Sequence, residues 1–470
     1  MREFESDIFF SFNNQEDLLD SNKRLSGKLY VSNSNDIRIE YIKLANPMDM
    51  FHALSPQASK PFVVYGQTSD NKRFTAYQCY SRNENFNISQ GSFLTTKREI
   101  LISTLFFGEW LNDIDNIEIN KGRVRFSYLE HWLGQFQVND NYFEEGKRNF
   151  AVDLEQFETN LNLDIDTNIT LTTSKNWQKN IELNKKLTFN VQQYLSFEFK
   201  DTISFRDYNK LNFKLHNFFR TILPRKDIFI EEQYITVLEN EVEIYRSNKH
   251  YSPEVNKVSW LDFLYLYNEE TIQDILLNWF SLQKNYGRIF DLLTPILDEK
   301  PFMYLEHSFL NVIQWYEGFC RIKYSTSNED KEAFKSKIEN IVSQISDSED
   351  KKLIEDITKY SYETPLSKQL KKVFNDFGIK DILSINSKEL DSLIFYITKN
   401  RNKLTHPTQA SDLNYGQLVT LKEILKYFTY IILVKTLKLE EDNHKVNNIK
   451  ENVKHYYAQF IENKKESEVS

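Results

Sequence analysis

The sequence predicts an α+β multidomain chain. A β-rich sandwich- or barrel-like domain spans residues 1–268, and an all-α helical bundle spans 269–470. Three observations predict this. Apolar residues alternate with a period of two up to about residue 265, as half-buried strands require. From about residue 270 they recur at helical spacing. The charge divides at the same place: of 59 Lys+Arg and 68 Asp+Glu, the helical part carries 28 and 29, so nearly all of the net charge of -9 belongs to the β-rich part. With 470 residues, 40% of them hydrophobic and 14% aromatic, the chain can bury real cores, and wholesale disorder is excluded.

In the β-rich part, Lys28–Ser32 and Ile37–Ile42 read as two strands around an Asn-Ser-Asn-Asp turn. Phe62–Tyr65 and Phe74–Tyr80 read as a hairpin around Ser69–Lys72, and Ile117–Asn120 and Val124–Tyr128 as another around a Lys121-Gly122 turn. Alternation continues over Leu161–Thr173, Leu187–Phe199, Ile228–Ile230, Tyr234–Leu238 and Val242–Tyr245. One helix interrupts it at about 206–223, where Leu211, Leu215, Phe218, Phe219 and Ile222 form a stripe.

In the helical part, Ile272, Ile275, Leu276 and Trp279 open a helix expected to run towards Leu293 and stop near Pro295. The next is expected over 302–324, with Phe309, Val312, Ile313, Tyr316, Phe319 and Cys320 on one stripe. Others follow at about 329–346, 349–361, 365–376, 387–403, 413–439 and 444–462, with a frayed tail from Asn463.

Composition bounds the partners. An acidic chain is a poor nonspecific coat for nucleic acid, so a polynucleotide would have to be gripped at a local site. Cys79 and Cys320 are too few for a multi-thiol zinc site or a disulfide framework, which fits a reducing cytoplasm. The N-terminus is acidic from Glu3, and the most apolar stretch, Tyr427–Val434, is far shorter than the ~20 residues of a membrane span. A cytoplasmic chain without a membrane partner is expected. Phosphate-loop, zinc-helix, nucleophile-elbow and dinucleotide motifs are absent, so no cofactor or metal is expected. Asp164-Ile-Asp166-Thr-Asn168 begins like a calcium loop but has Ile169 at the glycine position and Lys175 at the bidentate-glutamate position, and reads better as the polar face of a strand.

One segment carries chemistry: Ile397-Thr-Lys-Asn-Arg401-Asn402-Lys403-Leu404-Thr405-His406-Pro407. Its helix starts with a capping-box pattern, Asn386-Ser-Lys-Glu389, and has a stripe of Leu390, Leu393, Ile394 and Ile397. Arg401 lies three turns after Leu390 and continues that stripe inward, which is costly unless it meets an anion or a buried partner. Pro407 disfavours helix at the residue before it, so the helix should loosen near Leu404–Thr405 and let His406 swing back towards Arg401. No acidic residue lies between Asp391 and Asp412, while Lys399, Arg401 and Lys403 do. That makes a local pocket for phosphate. A guanidinium grips phosphate bidentately, and an imidazole titrating near neutrality can move the protons of RNA cleavage.

Spacing alone is weak. With 16 arginines and 8 histidines, chance gives about 0.8 matches to a gap of four to six residues, and Arg125/His131 is one of them. Glu130 beside that histidine spoils an anion pocket, so the pair reads as incidental. For Arg401/His406, the residues themselves leave helix capping and a functional site equally open.

Arg401-Asn-Lys-Leu-Thr-His406-Pro, late in an all-helical domain, resembles the Arg-x4–6-His motif of the HEPN superfamily, and the whole layout resembles the ApeA-like HEPN proteins. Leu276–Phe280, Phe309–Glu317, Gly27–Tyr30, Tyr65–Thr68 and Phe74–Tyr77 are similar to the family's segments at these places. The resemblance implies a metal-independent endoribonuclease, the toxin of a bacterial antiphage abortive-infection system, with Arg401 and His406 catalytic across a homodimer formed by the helical domain. The implied substrate is RNA, tRNA among the candidates. Asn402 would orient phosphate or histidine, with Lys403 and Glu317 also on the substrate side. For Glu317, a solvated helix position is an equal alternative. The β-rich domain would be the sensor or restraint, with room for a phage-derived activator. The alternative function is a non-catalytic HEPN dimer that binds a nucleotide or partner.

Overall fold

A computed structural model of the chain describes residues 3–12, 14–32, 36–44, 60–88, 94–133, 138–142, 148–152, 162–166, 168–182, 186–224, 227–247, 258–268, 270–297, 303–324, 328–358, 365–405, 414–440 and 443–469. Two compact units divide it: residues 1–216, 228–259 and 267–273 form one, and 217–227, 260–266 and 274–470 the other.

The first unit is built from antiparallel strands. In chain order they are β1 (Phe4–Phe12), β2 (Leu25–Val31), β3 (Ile37–Leu44), β4 (Phe62–Thr68), β5 (Arg73–Ile88), β6 (Leu94–Gly108), β7 (Ile119–Phe126), β8 (Val138–Tyr142), β9 (Arg148–Val152), β10 (Asn162–Asp166), β11 (Ile169–Glu182), β12 (Lys186–Ile203), β13 (Ile230–Val237) and β14 (Asn240–Arg246). The main sheet runs β10-β11-β12-β7-β13-β14-β6-β3-β2-β1-β4-β5, and β5 returns to pair with β6. The last six strands therefore close into a barrel, which removes their free edges. Period-two alternation fills it: Ile8 and Phe10, Leu29 and Val31, Ile37 and Ile39, Phe74 and Ala76, and Ile100 and Ile102 are all buried in one cluster. Gly66 is needed there, since a Cβ would stand 2.0 Å from the Phe74 ring.

The expected hairpins β2–β3 and β4–β5 form, and the expected strands β13 and β14 pair with each other. The expected turn at Lys121-Gly122 does not. β7 runs straight through it, with Gly122 paired to Phe197 on one side and Ile235 on the other. Gly122 is a packing glycine: a Cβ there would lie 2.5 Å from the ring of Tyr208. Asp164 and Asp166 end β10 at a register shift against β11.

The longer helices, in chain order, are α1 (Phe205–Ile222), α2 (Ile272–Tyr286), α3 (Leu305–Lys323), α4 (Asn328–Ser343), α5 (Ser348–Thr358), α6 (Leu366–Asp376), α7 (Ser387–Thr405), α8 (Tyr415–Leu437) and α9 (His444–Val469). The division between units falls inside α1, whose expected stripe Leu211, Leu215, Phe218, Phe219 and Ile222 is buried. α2 ends earlier than the pattern suggested. Gly287, at φ 50°, breaks it, and two short turns (Arg288–Asp291 and Leu293–Leu297) follow. α9 continues to Val469, so the backbone is helical where a frayed tail was expected. α8 is apolar almost all round and buried along nearly its whole length, which makes it the central rod of the second unit. The expected stripe of α3 is buried together with Trp315. Among the described residues, no helix is long and apolar enough to cross a membrane.

Candidate functional site

The site is built on α3 and α7 of the second unit. α7 opens with the capping box: the backbone N–H groups of Lys388 and Glu389 donate to Asn386 Oδ1 at 2.9 and 3.1 Å, and the Glu389 carboxylate accepts from the Asn386 N–H at 2.8 Å. Leu390, Leu393, Ile394, Ile397 and Asn400 are buried along the helix. Asn400 settles its amide on its own helix, donating to the Tyr396 carbonyl at 2.8 Å. Arg401 follows at the edge of this stripe, where the spacing placed it.

The partner that Arg401 needs is Glu317. Its Nε donates to Glu317 Oε1 at 3.1 Å, and a terminal guanidinium nitrogen stands 3.1 Å from the same oxygen. The other terminal nitrogen donates to Asn402 Oδ1 at 3.3 Å. α3 holds Glu317 firmly. Tyr316 is fully buried and donates its hydroxyl to the Leu425 carbonyl of α8 at 3.0 Å. On the other side, Gly318 leaves room for Ile289, which would lie 2.7 Å from a Cβ there. One turn on, burial, with the Glu317 charge adding to it, pushes the Cys320 thiol up to about 12.

The pair is open to water on one side: the Arg401 side chain is 33% exposed and that of Glu317 20%. A half-exposed ion pair is worth little and can be shared, so a phosphate oxygen could approach the guanidinium. Asn402 is exposed and Lys403 half-buried beside it. The helix persists through Thr405, whose hydroxyl donates back to the Arg401 and Asn402 carbonyls. His406 lies outside the described residues. The structure thus brings Arg401, Asn402 and Glu317 together. Sequence spacing left Glu317 undecided, because α3 and α7 are 84 residues apart at this contact.

Arg125, the other spacing match, sits in a carboxylate cage in the first unit. Its Nε donates to Glu130 Oε1 at 2.9 Å, and one terminal nitrogen lies 2.8 Å from Glu231 and 3.6 Å from Glu232. Glu232 also accepts from the Tyr194 and Tyr234 hydroxyls and from Gln192 Nε2. No place for an anion remains there. Among the described residues, no group of three His, Cys, Asp or Glu side chains could hold a metal ion.

A β-barrel unit, then a helical unit carrying an arginine–glutamate pair at the end of a capped helix, defines the class: a helical domain behind a β-rich domain. Family models agree with it along the chain. One described as ApeA N-terminal domain 1 matches residues 8–279, and one described as Apea-like HEPN matches residues 310–443. The chain belongs to the ApeA-like HEPN family. No curated protein and no solved structure matches it.

Proposed function

We propose that this protein is a metal-independent endoribonuclease that acts as the toxin of a bacterial antiphage abortive-infection system in the cytoplasm. The observation that carries the reading is the place of Arg401. A guanidinium stands at the open end of α7, steadied by Glu317 and Asn402, inside the stretch that the HEPN family model matches. Arg401 holds the scissile phosphate, with Asn402 and Lys403 on the substrate side. His406 moves the proton. The 2′-OH oxygen bonds to the adjacent phosphorus as its proton is taken up, and the P–O5′ bond breaks as the leaving 5′-oxygen is protonated. The products are a 2′,3′-cyclic phosphate and a 5′-OH end. Two protons move, so a homodimer that sets His406 of the partner subunit across the cleft supplies the second imidazole. Glu317 is a positioning residue, since it touches the guanidinium and not the reacting atoms. The β-rich unit restrains the enzyme until an activator binds.

The test is cleavage of mixed tRNA in EDTA, with and without extract of phage-infected cells. The parent should give fragments with cyclic-phosphate ends, and His406→Ala should give none while keeping its fold and dimeric state. Equal cleavage by both proteins overturns the reading. A gel shift without cleavage by the parent under either condition replaces it with a binding dimer.

A further inference from the structure

On α7, Asp391, Phe395, Lys399 and Asn402 are exposed and follow one another at steps of three and four residues, so they line one face of the helix. Phe395 is 57% exposed, more than any other phenylalanine among the described residues. It precedes Asn402 by two turns less about 20°, which puts the two on one face about 10 Å apart along the axis. Asn402 in turn accepts from the Arg401 guanidinium. The exposed ring therefore stands on the face of α7 that leads to Arg401.

The ring is braced. Tyr396 meets it edge-on, with centroids 5.5 Å apart at 86°, and Tyr396 packs on Phe460 of α9 at 5.5 Å. Phe460 is 1% exposed, so the aromatic pair is anchored on the core. Cations flank it. Lys399 Nζ lies 5.8 Å from the centre of each ring of the pair. Lys464 of α9 lies 5.4 Å from the Tyr396 ring and donates to Ser392 Oγ at 3.2 Å. Among the described residues, no carboxylate is within ion-pair distance of Lys399. The acid on this stripe, Asp391, is matched by Lys371 of α6 at 2.7 Å. A braced aromatic ring with a lysine beside it suits a π face followed by a negative charge, which is a base and its phosphate. A purely apolar partner would desolvate Lys399 and leave it unmatched.

We propose that Phe395 is a stacking platform for one unpaired base of the RNA, and that Lys399 binds a phosphate beside that base. The inference rests on the reading given for Arg401 and names the next subsite along the strand. Stacking on a helix-mounted ring accepts any base, since every base has a π face, so this subsite adds affinity and register without reading sequence.

The experiment measures fluorescence anisotropy of a short labelled single-stranded RNA in EDTA, with full-length His406→Ala as the uncleaving reference. Adding Phe395→Leu should weaken binding roughly ten- to hundredfold, and adding Phe395→Trp should not weaken it. In a scan of the RNA with one abasic residue at a time, one position should cost the reference that same factor and cost the Phe395→Leu protein nothing. Lys399→Gln should reduce the slope of log affinity against log salt by about 0.7. Phe213→Leu, at an exposed phenylalanine of α1, should bind as the reference does. No binding by the reference, equal affinity in Phe395→Leu, an abasic scan that does not distinguish the two proteins, or an unchanged salt slope in Lys399→Gln overturns the proposal. So does dissociation of a dimer by Phe395→Leu in sedimentation, which gives this face to a second copy of the chain. Failure here is distinct from failure of the enzyme reading. If the chain with His406 intact cuts RNA while the scans are flat, the enzyme reading stands and this subsite falls. If it cuts nothing while the scans respond, the subsite stands and the enzyme reading falls.

Discussion

Arg125 and Arg401 are the same residue type with a histidine five or six positions on, yet their settings differ. Arg125 is enclosed by Glu130, Glu231 and Glu232, and its side chain is 19% exposed. Among the described residues, Arg401 touches a single glutamate and is open to solvent on one side. A guanidinium surrounded by more negative charge than it carries is part of the framework and has nothing left for a ligand. One that is matched once and half open is steadied, and still able to take a phosphate. Surplus or shortage of nearby carboxylate, which linear spacing does not report, separates the caged arginine from the one still open to a ligand.

The sharpest way to break this comparison is to remove each arginine and measure stability and RNA cleavage together. Arg125→Met strands three glutamates and should cost about 3–5 kcal/mol in urea unfolding. Arg401→Ala should cost about 0–1 kcal/mol yet abolish cleavage. The reverse ranking of stabilities would refute the contrast. Next, Glu317→Ala should lower the cleavage rate roughly ten- to hundredfold by letting Arg401 move from its place, with the folded state kept and most of the loss in kcat rather than KM. A solvated, bystander Glu317 would leave the rate unchanged.

A third test sharpens the cage. Burial first, then the neighbouring Glu130 and Glu232 charges, holds the Glu231 carboxyl above the usual glutamate range, although Arg125 pulls the other way. The folded state therefore binds this proton more tightly than the unfolded chain does. Its contribution to stability is fullest below the ordinary glutamate pKa and is lost as pH rises through the raised value. Glu231→Gln should raise the melting temperature at pH 7.5, with the gain shrinking as pH falls below about 5. A gain independent of pH would show that packing, not charge, is responsible. The smallest effect is local to the α7 cap: Asn386→Ala should cost about 1 kcal/mol, read from chemical unfolding, by freeing the N–H groups of Lys388 and Glu389.

Much of this was legible in the sequence because it is local. The strands of the paired hairpins, the stripe of α1, the buried face of α3 and the capping box of α7 each follow from residues within a few positions of one another, where sterics and burial act on short windows. The Arg-x4-His segment was legible in the same way, down to the need of Arg401 for a partner. Gly122 misled because a glycine among polar residues reads as a turn, whereas what required it was the Tyr208 ring arriving from a helix 86 positions away. α2 misled in the opposite sense: its apolar spacing runs past Gly287, but the backbone there turns to positive φ.

Periodicity and composition by themselves determined that the chain has a β-rich part and a helical part, which faces are buried, and that Arg401 would need a partner. Only the tertiary structure decided that six strands close on themselves, that Glu317 rather than solvent meets Arg401, and that Arg125 is caged. The physical reason is range. Backbone propensity and amphipathic period are fixed by neighbours along the chain, whereas ring closure and the matching of one charge to another depend on groups that come together only when the chain has folded.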